Sequence, residues 1–322
     1  PQPRRDSPAA LRPASPTRPD RTRRAAPLLR KDLPPMSDTA PLLIRSASQA
    51  EFAQAVEWAA AEGWNPGLDD LPAFFAADPE GFLMVFRDGR AVSSISVVRY
   101  GPDYGFLGFY IMRPDRRGTG DGIATWRAGM ARLEGRVIGL DGVPAQQDNY
   151  RKEGFRLAGR NIRFTGAPAR TPAPRGVELR PIGAAEIAAV AVWERPFFPA
   201  WRHEFTTLWA GPGPARRRGL VALRDGDVAG YGVIRTCRQG FKIGPLFADD
   251  REAAEALFSG LCADIPAGAT VALDVPEPHG AAMALARSAG LAPAFETARM
   301  YRGRAPKLPI ERTFGVTTFE LG

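Results

Sequence analysis

The sequence predicts an α/β protein of the α+β type, made of two tandem domains that share one pattern. Each domain is expected to be a mixed, mostly antiparallel sheet flanked by helices. In each half, apolar β-prone runs form a hairpin and a third strand, and helices then alternate with strands. The order recurs at a nearly constant offset, since the turn Asp88-Gly89 reappears as Asp225-Gly226, 137 residues later. Such regularity favours duplication of one domain over chance.

The first half begins with a capping box. Ser48 and Glu51 precede the apolar Phe52, so we expect a helix that starts here and ends at Gly63. The elements that follow are a helical stretch at 71–75, strands at 82–86, 91–100 and 104–112, a helix after Gly122, a strand at 137–141, a helix at 146–152 and a strand at 160–164. The apolar residues of the helix after Gly122 share the spacing of one helix face: Ile123, Trp126, Met130 and Leu133.

The second half repeats this order. Its predicted elements are strands at 220–224, 228–234 and 241–247, a helix at 249–262, a strand at 270–274, a helix at 279–288 and a strand at 295–301. A proline-rich stretch separates the halves and is typical of a linker. We therefore place the domains at 36–166 and 177–322, with the linker at 167–176.

Residues 1–35 form a basic, proline-rich tail with nine Lys/Arg and three Asp. This composition cannot bury enough apolar surface to offset its ordering entropy, so we expect disorder. The whole chain carries a net charge of +8, but the remaining 287 residues carry only +2, which gives little support for a nucleic-acid partner. Because the first methionine is Met36, we expect the tail to lie upstream of the true start. A basic arm that binds nucleic acid in a salt-dependent way is the alternative.

Composition also excludes several classes of protein. No run approaches the roughly 18 consecutive apolar residues of a transmembrane helix, so no membrane partner is expected. Cys237 and Cys262 are too few for a disulfide scaffold or a Cys-based zinc site, and they predict reduced thiols in the cytoplasm. His203 and His279 lack ligand partners at metal-site spacing, so we expect no metal.

The segment from Met112 to Gly122 runs from a strand, through a glycine-rich turn, into an amphipathic helix. Unpaired amides at a helix N-terminus attract anions, glycine lets phosphate oxygens approach the backbone, and Arg116 and Arg117 add positive charge. A mononucleotide phosphate loop would need Gly-Lys-Ser/Thr, which is absent. A dinucleotide fingerprint is disfavoured because Thr125 stands where it needs a small residue. A connection without a ligand is the remaining alternative.

The glycine-rich turn resembles the acetyl-CoA motif of the GNAT superfamily of N-acetyltransferases. A strand is followed by Pro114 and then by Arg117, Gly120 and Gly122, as in the family's Arg/Gln-x-x-Gly-x-Gly/Ala. Met112 departs from the valine usual at the strand end. A second motif, Tyr150-Arg151-Lys152-Glu153-Gly154-Phe155, is similar to the family's Tyr-x-x-x-Gly-Phe.

The resemblance covers about residues 42–165. The turn at 63–67 and the ending at 314–319 look like a bacterial branch of tandem GNAT proteins with a degenerate second domain.

The resemblance implies direct transfer of an acetyl group from acetyl-CoA, the co-substrate, to an amine. The cofactor-binding residues that it implies are Ile111, Met112, Arg116, Arg117, Gly118, Thr119, Gly120, Asp121 and Gly122. Tyr150 would protonate the departing thiolate, although it also suits simple packing. Asp141 is a candidate base, with capping of the next turn as its alternative. Trp64 and Asn65 are candidate acceptor-binding residues, although Asn-Pro-Gly also suits a plain turn.

The second half has Gly244–Asp250 where a phosphate loop should lie. Two carboxylates would repel a pyrophosphate and the proline removes an amide donor, so we expect no CoA binding there. The leading hypothesis is an N-acetyltransferase that acts on a small-molecule or peptide amine. The alternative is a non-catalytic, acyl-CoA-responsive binding or regulatory module, since no base stands out. The sequence determines neither the acceptor nor the oligomeric state.

Overall fold

A computed structural model describes residues 40–169, 174, 176–213 and 215–322. The predictions for the tail at 1–35 and for linker residues 170–173 and 175 lie outside this range. The strands are β1 (Leu42–Ser46), β2 (Phe82–Arg87), β3 (Arg90–Tyr100), β4 (Tyr104–Met112), β5 (Val137–Gly142), β6 (Arg156–Gly166), β7 (Glu178–Pro181), β8 (Arg217–Arg224), β9 (Asp227–Thr236), β10 (Phe241–Ala248), β11 (Val271–Pro276), β12 (Ala292–Arg302) and β13 (Thr313–Gly315). The helices are α1 (Gln49–Ala61), α2 (Leu71–Ala77), α3 (Asp121–Arg132), α4 (Gln147–Lys152), α5 (Ile187–Trp193), α6 (His203–Ala210), α7 (Arg251–Cys262) and α8 (Gly280–Ser288).

The mixed, mostly antiparallel α/β architecture is confirmed, and each predicted helix and strand is present. The capping box forms: Glu51 N–H donates to Ser48 Oγ (3.3 Å), and Ser48 N–H donates to the Glu51 carboxylate (2.9 Å). The predicted apolar face of α3 is wrong at one position, because Ile123 is 46% exposed. The sequence did not indicate β1, β7, β13, α5 and α6, which have only three to eight residues each and are too short to show a clear periodicity.

The strands form one continuous sheet in the order β1-β2-β3-β4-β5-β12-β6-β11-β10-β9-β8-β7, with β13 against β10. The two sheets expected from the repeat are therefore joined. Strand β12 of the second half lies between β5 and β6, and β6 of the first half lies between β12 and β11. Each half thus completes its sheet with the final long strand of the other half.

The exchanged strands carry equivalent ion pairs. Arg299 on β12 is in register with Asp141 on β5, and Arg163 on β6 is in register with Asp274 on β11. Both arginines pair with the carboxylate opposite them. The repeat seen in the sequence is therefore also present in the pairing of the strands.

Strands β4 and β5 diverge after a short parallel stretch. They pair only from Tyr104↔Val137 to Leu107↔Leu140, whereas β4 continues to Met112. A bulge in the β3–β4 pairing coincides with this point, where Phe109 adopts a φ of +45° and its carbonyl accepts a hydrogen bond from Ser94 Oγ (2.8 Å). The result is a gap in the sheet along which the edge of β4 is free.

The last residues of the chain return to the first half. The Tyr100 hydroxyl donates to Leu321 O (3.2 Å), and the main chain of Glu320 lies against Gly108 so closely that a Cβ there would overlap it. A glycine at position 108 is therefore required by this close approach of two backbones.

Candidate active site

A cavity of about 430 Å³ lies where β4 and β5 diverge. The predicted site residues that line it are Trp64, Ile111, Met112, Arg117, Asp141 and Tyr150. The other predicted cofactor residues do not line the cavity but are adjacent to Arg117 in the chain. Arg116 precedes it, and residues 118–122 follow it.

The glycine-rich turn presents open backbone. Gly118 and Gly120 adopt φ values of +80° and +89°, left-handed conformations that favour glycine, and no atom lies within 4 Å of the place where a Cβ would stand on either residue. Helix α3 begins directly after Gly120, so the amides of its first turn lack intrahelical acceptors. Open glycines, free amides and the positive end of the helix dipole are suited to a pyrophosphate.

Two predicted cofactor residues use their side chains within the protein. The Asp121 carboxylate accepts hydrogen bonds from Arg87 Nη2 (2.5 Å) and Arg116 Nη2 (2.9 Å), and all three side chains are buried. Arg116 and Asp121 therefore brace the start of α3 against β2. This geometry argues against the expected contact of the Arg116 guanidinium with phosphate, while the Asp121 amide still belongs to the open turn.

Arg117 is the basic residue of the turn that reaches the cavity. Its guanidinium is about half exposed and pairs with Glu62 at the end of α1. An exposed ion pair of this kind contributes about 0–1 kcal/mol, so a phosphate can compete with Glu62 for the guanidinium.

Tyr150 is held at the cavity wall by its stacking on Trp126 of α3, with ring centroids 5.7 Å apart and an interplanar angle of 29°. Burial raises the pKa of Tyr150 to about 12, so the phenol is protonated at neutral pH and can donate that proton. The ring also lies directly against Gly142 at the end of β5, where a Cβ would overlap it.

Replacing Gly142 with alanine should displace the Tyr150 ring, because the new Cβ would overlap its edge. We expect lower turnover, a weaker near-ultraviolet circular dichroism signal from the Tyr150–Trp126 stack, and a loss of about 1–3 kcal/mol of stability. The matched control is Gly159→Ala, also in a strand, whose Cβ would lie 3.9 Å from its nearest neighbour, Pro278. Equal signals and turnover in the two variants would show that this contact does not position the ring.

Asp141 is engaged on both carboxylate oxygens. Oδ1 accepts from Arg299 Nε (2.9 Å) and Asn161 Nδ2 (2.9 Å), and Oδ2 accepts from Arg299 Nη2 (2.6 Å). Burial raises the pKa of Asp141, and Arg299 and Asn161 oppose that shift. Because the carboxylate is fully used in holding β5 to β12, this geometry argues against its expected role as the base, and also against the alternative of a turn cap.

The turn after α1 is anchored to the second half. Asn65 Nδ2 donates to Gln239 O (2.8 Å), and Gln239 N–H donates to Asn65 Oδ1 (2.9 Å), so the amide of Asn65 is occupied outside the cavity. The Trp64 carbonyl accepts from Arg163 Nη1 (3.0 Å) and Lys242 Nζ (3.4 Å). Of the two predicted acceptor-binding residues, only Trp64 lines the cavity, and Asn65 instead fixes the turn.

Several cavity residues were not singled out by the sequence. They are Glu62, Arg163, Phe295, Thr297 and Glu320. Phe295 and Thr297 belong to the exchanged strand β12, more than 170 residues from the glycine-rich turn. No local sequence pattern connects such distant positions. In the last part of the chain, the sequence singled out only the ending at 314–319.

The start of α7 differs from the start of α3. Strand β10 runs to Ala248, and Asp250 then caps α7 by accepting from Ala253 N–H (2.9 Å). This carboxylate lies at the helix N-terminus, where an anion would bind.

The chain itself fills the gap beyond the β10–β11 pairing. That pairing ends at Ile243↔Leu273, and β13 then pairs with β10 at Leu246↔Gly315. Val316 N–H donates to Asp274 O (2.9 Å), which ties the same segment to β11. The corresponding gap between β4 and β5 is open.

Within the described ranges, no three His, Cys, Asp or Glu residues are grouped so that they could hold a metal ion. None of the helices in the same ranges is both long and apolar enough to span a membrane.

The fold and the open gap at a glycine-rich turn define the class of protein, and residues 190–315 match the family described as "Acetyltransferase (GNAT) domain". The chain belongs to the GNAT superfamily of acyltransferases. It is 32% identical over 280 residues to the Holothin acyltransferase of Pseudoalteromonas sp. (strain SANK 73390), with 86% of this chain and 94% of that protein covered. The family match falls on the second half, which is the half with the filled gap.

Solved structures share the fold at low sequence identity. A putative acetyltransferase from Pyrococcus horikoshii is 19% identical, with a TM-score of 0.71 over 87% of this chain and 96% of that chain. A tandem GNAT protein from the clavulanic acid biosynthesis pathway is 14% identical, with a TM-score of 0.56 over 83% of this chain and 100% of that chain. Both likenesses concern the fold, and the second of these proteins is described as a tandem GNAT protein.

Proposed function

We propose that the chain is an N-acyltransferase that moves an acetyl group from acetyl-CoA to an amine, with the acyl-CoA bound in the first half. The observation that supports the proposal is that Arg117, which opens the glycine-rich turn, the unpaired stretch of β4 and Tyr150 line one cavity. Membership of the GNAT superfamily supports acyl-CoA as the donor class.

The chemistry follows from these groups. The amides of residues 118–122 and the Arg117 guanidinium would bind the pyrophosphate, and the main chain of Ile111 and Met112 would pair with the pantetheine arm as with an added strand. The same edge can donate an N–H to the thioester carbonyl, where negative charge develops. Tyr150 would then protonate the thiolate that leaves.

We also propose that the second half does not bind acyl-CoA. The Asp250 cap and the β13 segment fill the positions equivalent to the open turn and the open gap. Its contribution would be strand β12, which supplies part of the wall of the cavity.

Tyr150→Phe should lower kcat by about 100-fold or more, because the phenol is the proposed proton donor. The ring would keep its stacking on Trp126, so acetyl-CoA should bind with nearly unchanged affinity. Steady-state kinetics together with calorimetry separate the two effects. An unchanged kcat would remove the acid role from Tyr150 without affecting the binding proposal.

Calorimetric titration with acetyl-CoA tests the proposal as a whole. We expect one binding site per chain, located in the first half. Absence of binding would contradict the proposal. Because the relative is named as a holothin acyltransferase, the titration should include longer acyl-CoA thioesters, and holothin should be tested as an acceptor.

A further inference from the structure

One carboxylate in the candidate active site has a buried oxygen that accepts no hydrogen bond from the described residues. Glu320 lines the cavity together with Tyr150, and only 5% of its surface is exposed. Its Oε2 atom is buried and has no hydrogen-bond partner among the described residues. A buried carboxylate oxygen without a donor is unfavourable, so this atom is suited to a ligand that brings an N–H group.

The neighbouring cations are engaged elsewhere. Arg163 forms two hydrogen bonds with Asp274, at 2.6 Å and 2.8 Å. Lys242, whose pKa is lowered by burial, donates to the Trp64 carbonyl. In the part of the chain that the structure covers, neither one forms an ion pair with Glu320. Arg163 is neutralised by Asp274, but the charge of Lys242 offsets the attraction that Glu320 would exert on a cationic acceptor.

Glu320 is held against the unpaired stretch of β4. Its main-chain oxygen lies over the Cα of Gly108, the first residue of β4 beyond the pairing with β5. The residue therefore lies over the start of the stretch along which the thioester carbonyl is proposed to lie.

Aromatic side chains form much of the remaining wall. Trp64, Phe109, Phe295 and Phe319 all line the cavity, and the Arg163 guanidinium lies over the Phe319 ring, 4.8 Å from its centroid. Aromatic rings bind flat apolar ligands by stacking and edge contacts. The wall therefore favours a planar acceptor over a flexible aliphatic one.

We propose, resting on the proposed acyl-CoA function, that the acceptor is a small aromatic primary amine, uncharged at neutral pH, and that Glu320 takes the proton from its nitrogen. The nitrogen attacks the thioester carbonyl carbon, a C–N bond forms, and the C–S bond breaks as the tetrahedral adduct collapses. The nitrogen's proton passes to Glu320, and Tyr150 gives a proton to the thiolate. Amine and thioester thus yield one amide and one thiol, and exchange with water restores both side chains.

The test compares turnover of aniline and cyclohexylamine, which match in ring size, by the wild type, Glu320→Gln and Glu320→Asp. We expect the wild type to prefer aniline and Glu320→Gln to lose about 100-fold or more in kcat for it. Acetyl-CoA affinity should stay within about twofold, and Glu320→Asp should recover part of the rate. The matched control is Glu311→Gln in the same segment, where the side chain is exposed and the rate should not change.

Each outcome decides the matter. Unchanged aniline turnover in Glu320→Gln with normal acetyl-CoA binding overturns this inference alone, as does a wild-type preference for cyclohexylamine. Absence of acetyl-CoA binding by the wild type overturns the proposed function and this inference with it. Should Glu320→Gln fail to fold, the wild-type preference and Glu320→Asp still decide.

Discussion

Cutting the chain between its halves should leave neither half folded. A fragment of residues 40–169 would lose β12 from beside β5, and a fragment of residues 176–322 would lose β6 from beside β11. Asp141 and Asp274 would each lose a buried arginine partner. Removing one partner of a buried ion pair costs about 3–5 kcal/mol, which is a large share of the roughly 5–15 kcal/mol that stabilises a whole domain.

Mixing the two fragments should restore the fold, because every contact except the linker can form again between them. Circular dichroism and thermal unfolding of each fragment, of the equimolar mixture and of the uncut chain measure this. A fragment 40–169 that unfolds cooperatively at the temperature of the uncut chain would contradict the strand exchange.

Gly120→Leu should strongly weaken acyl-CoA binding without unfolding the protein. The new side chain would enter the open space over the turn, where the pyrophosphate is proposed to lie. We expect affinity to fall by at least about 30-fold, which corresponds to about 2 kcal/mol. A non-glycine residue at a φ of +89° also costs about 1–2 kcal/mol of stability.

Gly135→Leu is the matched control for the cost of placing a leucine at a positive φ. Gly135 follows α3, is exposed, has a φ of +77°, and has no atom within 4 Å of its Cβ position. Both variants should lose similar stability, but only Gly120→Leu should lose affinity. Equal affinity in the two, measured by calorimetry, would move the binding site away from this turn.

The sequence indicated those features of the fold that depend on local patterns. The Asp-Gly hairpins, the Ser48–Glu51 capping box and the amphipathic helix after Gly122 are each contained in a few consecutive residues, and all are present. The exchange of β6 and β12 was not predictable in this way. A strand makes the same backbone hydrogen bonds with either partner, so its own sequence does not reveal which half it completes.

The same distinction applies to the candidate site. Arg117 and Tyr150 belong to short motifs and line one cavity, and the open glycines follow Arg117 directly in the chain. Arg116 has the charge expected beside a phosphate, but burial against Asp121 directs its guanidinium inward. Glu320 joins the site only because the last residues of the chain return to the first half. The motifs of the first half could therefore not reveal it.

The most direct test of the account is to incubate the wild-type chain with acetyl-CoA and a panel of amines and to analyse the products by mass spectrometry. We predict an N-acetylated amine and an equal amount of free CoA, both lost in Gly120→Leu and retained in Gly135→Leu. Acetyl-CoA that binds but remains intact with every amine would contradict the account and would favour a non-catalytic acyl-CoA-responsive module.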